Sequence, residues 1–141
     1  MQINRVLSAW QLVPLYFAQD AVAASQTAVA LKTTDANNSV ALNVYYTMPF
    51  AGEIIGVSSN LDTAGTAGSL TINPNLSGTA VSDPEIAMTT LAYGSDACKR
   101  GANAFAKNAL VGCKITTSAD WDGTSADLQV IVWVLLNVSG I

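Results

Sequence analysis

Apolar residues recur at every second position along the last long segment of the chain, at Leu128, Val130, Val132, Val134, Leu136 and Val138. A period of two is that of a β-strand with one face continuously buried. The alternate positions begin polar at Asp127 and Gln129, turn apolar at Ile131, Trp133 and Leu135, and end at Asn137. An isolated sandwich would leave that second face wet, yet fully burying each of those three side chains is worth roughly 1.5–3 kcal/mol. The pattern predicts a central strand with one core face and a second face that either another segment of the chain or another subunit covers. Ile131, Trp133 and Leu135 are the candidate subunit interface.

The first segment has a different pattern. Ile3, Val6, Leu7 and Trp10 fall at helical spacing, and Pro14 ends any such helix before Leu15, Tyr16 and Phe17. Residues 1–24 are therefore expected to form an extended or partly helical arm, ahead of one β-domain over residues 25–141. The arm also imitates a secretory leader, with Arg5 before the apolar stretch and Ala21, Val22 and Ala23 as a cleavage-like site, but Gln11 and Pro14 interrupt the apolar run. From residue 25 onward, short alternating segments are separated by Gly, Pro, Asn and Asp turn chemistry. Strands are expected over residues 27–31, 40–46, 53–59, 69–73, 86–91, 110–117 and 128–138, with Pro74 closing the fourth. Residues 97–109 carry the alanine and lysine of a helix, while Gly94 and Gly101 interrupt the region. About eight strands at this spacing predict an all-β antiparallel sandwich or barrel.

Composition narrows the function. A single domain of 141 residues buries enough surface to be stable without metal or disulfide staples. Half of the residues are apolar and only 11% are charged, which suits a β-rich protein that uses its surface for contacts more than a freely soluble enzyme. The net charge of −4 argues against a nucleic-acid partner, since phosphate binding needs a positive footprint. No apolar run reaches the roughly 18 residues of a membrane-spanning helix, so no membrane partner is expected. There is no histidine, which removes every Ser-His-Asp and Cys-His mechanism. The sequence is read as a non-enzyme with no catalytic residue, cofactor or metal.

The remaining polar clusters have modest chemistry. Val111, Cys113 and Ile115 share a strand face, so Cys113 reads as a small buried hydrophobe. Cys98 stands beside Lys99 and Arg100, cations that would lower its thiol pKa. Both are expected as free cysteines in a reducing cytoplasm, with a Cys98 to Cys113 bridge as the alternative, and spacing alone does not choose. Asp120, Asp122 and Asp127 have spacings that would suit a hard cation but lack the other positions of a calcium loop, so an acidic turn beside Trp121 is expected. Asp83 and Glu85 flank Pro84 as turn residues. Lys99, Arg100, Lys107 and Lys114 gather most of the cations, either as a docking patch or as a solvated face that balances the acids.

Four stretches carry a family resemblance: YTMPFAGEIIGV at 46–57, AGTAGSLTINP at 64–74, GCKITTS at 112–118 and LQVIVWV at 128–134. In this order they resemble the small jelly-roll proteins of tailed bacteriophages, which are tumour necrosis factor-like sandwiches. In those proteins a P-F-A-G corner, an A-G-T turn before an L-T-I strand, a G-x-K-x-T-T strand and a long apolar C-terminal strand recur. The likeness spans residues 40–138 and departs at 105–111, where FAKNALV stands in place of an aromatic followed by Gly-Asp. The resemblance implies a jelly-roll and a capsid cement or decoration protein, made in the host cytoplasm and placed on the outer capsid surface of the virion. The major capsid protein is the expected partner, together with further copies in a dimer or trimer. Ile3, Val6, Leu7, Trp10, Leu15, Tyr16 and Phe17 are the candidate capsid-contact arm. The alternative is a receptor-binding jelly-roll of a head or tail fibre, although no stalk-forming segment is visible in the sequence.

Overall fold

The computed structural model describes residues 9–33 and 44–139. These residues form eleven strands and no helix: β1 (Trp10–Gln19), β2 (Val29–Ala30), β3 (Tyr46–Thr47), β4 (Gly52–Leu61), β5 (Leu70–Leu76), β6 (Thr79–Ala80), β7 (Ile86–Met88), β8 (Tyr93–Ala97), β9 (Ala104–Phe105), β10 (Leu110–Thr117) and β11 (Leu128–Asn137). Every ladder is antiparallel. Sheet A has the order β1-β11-β4-β8, with β9 also on β4. Sheet B has the order β2-β10-β5-β6, with β3 also on β10 and β7 on β5. From β4 onward the longer strands β4, β5, β8, β10 and β11 alternate between the two sheets, which is the winding of an antiparallel jelly-roll sandwich.

Alternation places the core between the two sheets. Val130, Val132, Val134 and Leu136 of β11 face inward with Ile54 and Val57 of β4, against Leu70 and Ile72 of β5 and Val111, Cys113 and Ile115 of β10. Trp121 closes one end, its indole Nε1–H donating to the Val22 carbonyl at 3.1 Å. On β4, Ile55 is the extra residue between Ile54, opposite Val134, and Gly56, opposite Trp133. This bulge bends the strand where a strict alternation would have turned an apolar residue the wrong way.

The N-terminal segment departs from the sequence expectation. Residues 10–19 are not an appended arm: they are the edge strand of sheet A, paired along their whole length with β11. Leu15 and Phe17 are core residues and are not available for contact with a capsid. Pro14 does not end a helix. It sits within an edge strand, where the missing N–H need not face a ladder partner. Ile3, Val6 and Leu7 lie outside the described residues, as do positions 40–43 of the expected second strand.

Two further boundaries move for physical reasons. Pro74 does not close β5, which continues to Leu76. It stands opposite Cys113, in the interval between the β7 pairing at Leu70 to Ile72 and the β6 pairing at Asn75 and Leu76, so no ladder partner is deprived of a donor. The ambiguous alanine and lysine stretch is strand β8, a turn and the short β9, because Gly94 and Gly101 fit strand and turn better than helix. Gly94 approaches β7 so closely that a Cβ there would lie 2.7 Å from Ile86 Cγ2, and Gly101 has φ of +82°.

Candidate contact surface

Directly opposed residues of an antiparallel pair share a face. Leu12 stands opposite Leu135, Pro14 opposite Trp133, and Tyr16 opposite Ile131. The half-buried apolar row of β11 is thus continued by a second apolar row on the edge strand, and together they line the outer face of sheet A. The next two strands bring small residues to the same face: Gly56 and Ser58 of β4 oppose Trp133 and Ile131, and Ala97 and Ser95 of β8 follow. Large side chains on β1 and β11 therefore stand beside a floor of small ones on β4 and β8.

This step in side-chain size makes an open groove. Leu12 and Trp133 form one wall over Gly56, Ser58, Ser95 and Ala97, enclosing about 550 Å³. A neighbouring hollow of about 350 Å³ shares Ser58 and Ser95 and is rimmed by Leu91, Tyr93 and Ile131. The Trp133 indole is fixed by donating Nε1–H to Ser58 Oγ at 3.1 Å, which ties the wall to the floor. At Gly56 a Cβ would lie 3.2 Å from the Asp96 carbonyl oxygen, so any larger residue would crowd β8.

Charge is confined to the margins of this face. Glu53, opposite Leu135, is only 4% exposed. Its carboxylate pairs with the Arg100 guanidinium and accepts the Gly101 N–H. The Arg100 guanidinium lies 4.8 Å from the ring centroid of Trp10, so one cation closes the lower end of the face by both a charge pair and a cation–π contact. At the far margin Asp96 accepts the Glu85 N–H at 2.9 Å.

The structure sorts the candidate site residues. Ile131, Trp133 and Leu135 share the outer face of sheet A with Tyr16, while Trp10 stands at its lower end. The four cations do not form one patch. Lys99 and Arg100 follow β8, Lys107 lies between β9 and β10, and Lys114 points outward from sheet B, donating to the Gly78 carbonyl at 2.7 Å. Arg100 is already engaged by Glu53. Leu12, Leu91 and Tyr93 were missed by the sequence reading. The alternation of Trp10, Leu12, Pro14 and Tyr16 carried the signal for β1, but the helical spacing before it directed the reading toward an arm.

The other polar clusters are structural. Burial raises the Cys98 thiol pKa, with Asp83 and Glu53 adding to the rise and the Asn103 amide opposing it. This reverses the expectation from Lys99 and Arg100, whose charges do not govern the thiol. Cys113 is wholly buried and its pKa is pushed far up by desolvation. Both cysteines are free, so the bridge is not formed. Asp122 accepts the Thr66 hydroxyl and the Thr66 and Ala67 amides, the latter two at 2.8 and 3.0 Å. Those bonds, the hydroxyl foremost, hold its carboxyl below the usual range. Asp127 accepts the Ala21 N–H at 2.9 Å. These carboxylates serve as loop clamps.

Compared with known proteins, the chain matches no protein-family model and no curated protein.

Proposed function

We propose that this chain is a structural virion protein, a capsid cement or decoration subunit that binds the outer surface of an icosahedral phage head. The single observation that carries the reading is the apolar outer face of sheet A, which no described segment of the chain covers and which suits the subunit contact of such an assembly. The jelly-roll fold and the four motifs that resemble small phage jelly-rolls support it. In this reading the protein forms a homo-oligomer and links neighbouring major capsid subunits. Binding only the assembled shell stabilises that shell by mass action, and multivalent attachment lets modest contacts act together. No catalytic step, cofactor, nucleic acid or membrane enters the reading.

A second reading is favoured by one feature. Tyr93, Asn60 and Gln129 form an exposed cross-strand row on β8, β4 and β11, an aromatic ring beside two uncharged amides. Such a surface suits a receptor-binding module. Co-sedimentation of the purified protein with heads assembled from major capsid protein, beside a host-cell binding assay, separates the two. Saturable binding to heads without binding to cells is expected. Binding to cells alone would replace the cement reading with the receptor-binding one.

A further inference from the structure

We infer that the outer face of sheet A is the docking surface for a second copy of this chain, the wall built by β1 and β11 on one copy seating on the floor of β4 and β8 on the other. The inference deepens the proposed homo-oligomer and is measured on purified protein without heads, so its failure is distinct from a failure to bind capsid.

Area supports an interface of protein size. Trp10, Leu12, Tyr16, Leu91 and Tyr93 remain 38%, 55%, 48%, 55% and 66% exposed. At roughly 200 Å² for each large side chain they leave about 500 Å² of apolar surface, at the upper end of what single subunits usually show. A standard interface takes about 800 Å² from each partner, about 60% of it apolar, which is again about 500 Å². The half-buried Ile131, Trp133 and Leu135 add to the centre of this area.

Shape and charge favour a copy of the same chain as the occupant. A self-complementary contact needs both a projection and a recess on one patch. This face has both, since Leu12 and Trp133 project beside a groove of about 550 Å³ floored by Gly56, Ser58, Ser95 and Ala97. Packed sheets lie about 10 Å apart, a spacing that interdigitated side chains of this size fill. Two chains of net charge −4 repel each other, and they can meet closely only where charge is absent or already paired. On this face Glu53 is neutralised by Arg100, and Asp96, which lines the groove on edge strand β8, has its carboxylate bonded to the Glu85 amide.

The test is the mass of purified protein by light scattering across a dilution series. The wild type is expected to contain two or more copies. Trp133→Asp removes the centre of the wall, and Ala97→Arg fills the floor from an exposed position on edge strand β8, where folding tolerates it. Each is expected to weaken self-association about a hundredfold, the effect of losing an interface hot spot. Circular dichroism should show the sandwich retained in Ala97→Arg. Leu110→Asp, at an exposed position of sheet B, should leave the mass unchanged. A monomeric wild type would overturn the inference, whether or not it binds heads. So would an oligomer that survives both Ala97→Arg and Trp133→Asp.

Discussion

The outer faces of the two sheets are built on the same alternation and end in opposite chemistry. Along the middle of sheet B the outward positions of β5 and β10 are Thr71, Asn73, Lys114 and Thr116, with Leu110 at the end of β10. Asn73 donates to the Val81 carbonyl and the Glu85 carboxylate, Lys114 to the Gly78 carbonyl, and Thr116 accepts the Ala28 N–H. That face meets water and its own loops with polar groups already placed. On sheet A the corresponding positions of β1 and β11 are Leu12, Pro14, Tyr16, Ile131, Trp133 and Leu135. A jelly-roll needs only its inner faces to be apolar, so the fold does not require the second set. The difference separates the apolar positions that folding requires from a second set that the proposed contact would use.

The largest effect should come from crossing that division within one strand. Phe17 is 1% exposed and packs edge-on against Tyr46 with ring centroids 5.5 Å apart, whereas its neighbour Tyr16 points outward. Phe17→Ala should cost about 3–5 kcal/mol in urea unfolding. Tyr16→Ala should cost under about 1 kcal/mol in dilute protein and lower the concentration dependence of the transition instead. Similar losses for both would erase the distinction between core and contact face.

Next in size is the Glu53–Arg100 charge pair on sheet A. Glu53→Gln leaves the Arg100 guanidinium without its counter-ion and weakens the bond from the Gly101 amide. Bonds to a buried charged group are worth roughly 1.5–3 kcal/mol, and the solvent exposure of Arg100 places the expected loss at the lower end, about 1–2 kcal/mol by denaturant titration. The variant should also loosen the lower end of the face, where Arg100 bridges to Trp10. No change in stability would mean that the pair is incidental to the fold.

Most of the sandwich could be read from period and turn chemistry because those are local. The strict alternation from Leu128 to Val138 identified both faces of β11, and the resemblance supplied the jelly-roll expectation that the sheet order bears out. The role of residues 10–19 was not legible. Its apolar positions satisfy two periods in turn, and only the long-range pairing with β11 decides between them. The same limit applied to the candidate site. Ile131, Trp133 and Leu135 were visible as a surplus apolar face, but the groove depends on Ser95 and Ala97, small residues just before and at the start of a stretch that resembled helix. Charge was misread for a related reason: sequence proximity put Lys99 and Arg100 beside Cys98, while folding brought Glu53 and Asp83 into its surroundings.

A smaller effect tests the polar side of the comparison. Lys114→Met keeps the aliphatic stem on sheet B and removes the ammonium that reaches the Gly78 carbonyl. The expected loss is about 1 kcal/mol, that of one charge-assisted bond at a partly solvated site. If sheet B serves only the fold, the mass of the protein by light scattering should not change. A mass shift as large as that of Trp133→Asp would make sheet B an interface too and end the contrast between the faces.

The smallest effect belongs to neither face. Asp122 clamps the loop at Thr66 and Ala67 from the end of the sandwich, and the donors around it depress its carboxyl pKa. A depressed folded pKa contributes stability that is fully present above the unfolded value of about 4 and is lost as pH falls through the folded one. Asp122→Asn retains an oxygen for the two amides but no charge. The gap between wild type and variant should therefore be constant from about pH 7 down to about pH 5, then narrow with further acidification as the wild-type carboxylate takes up a proton. Urea midpoints measured across that range give the gap directly. A gap that stays constant to about pH 2 would show that Asp122 acts through shape alone, and the charge on this loop would then have no part in holding the end of the sandwich.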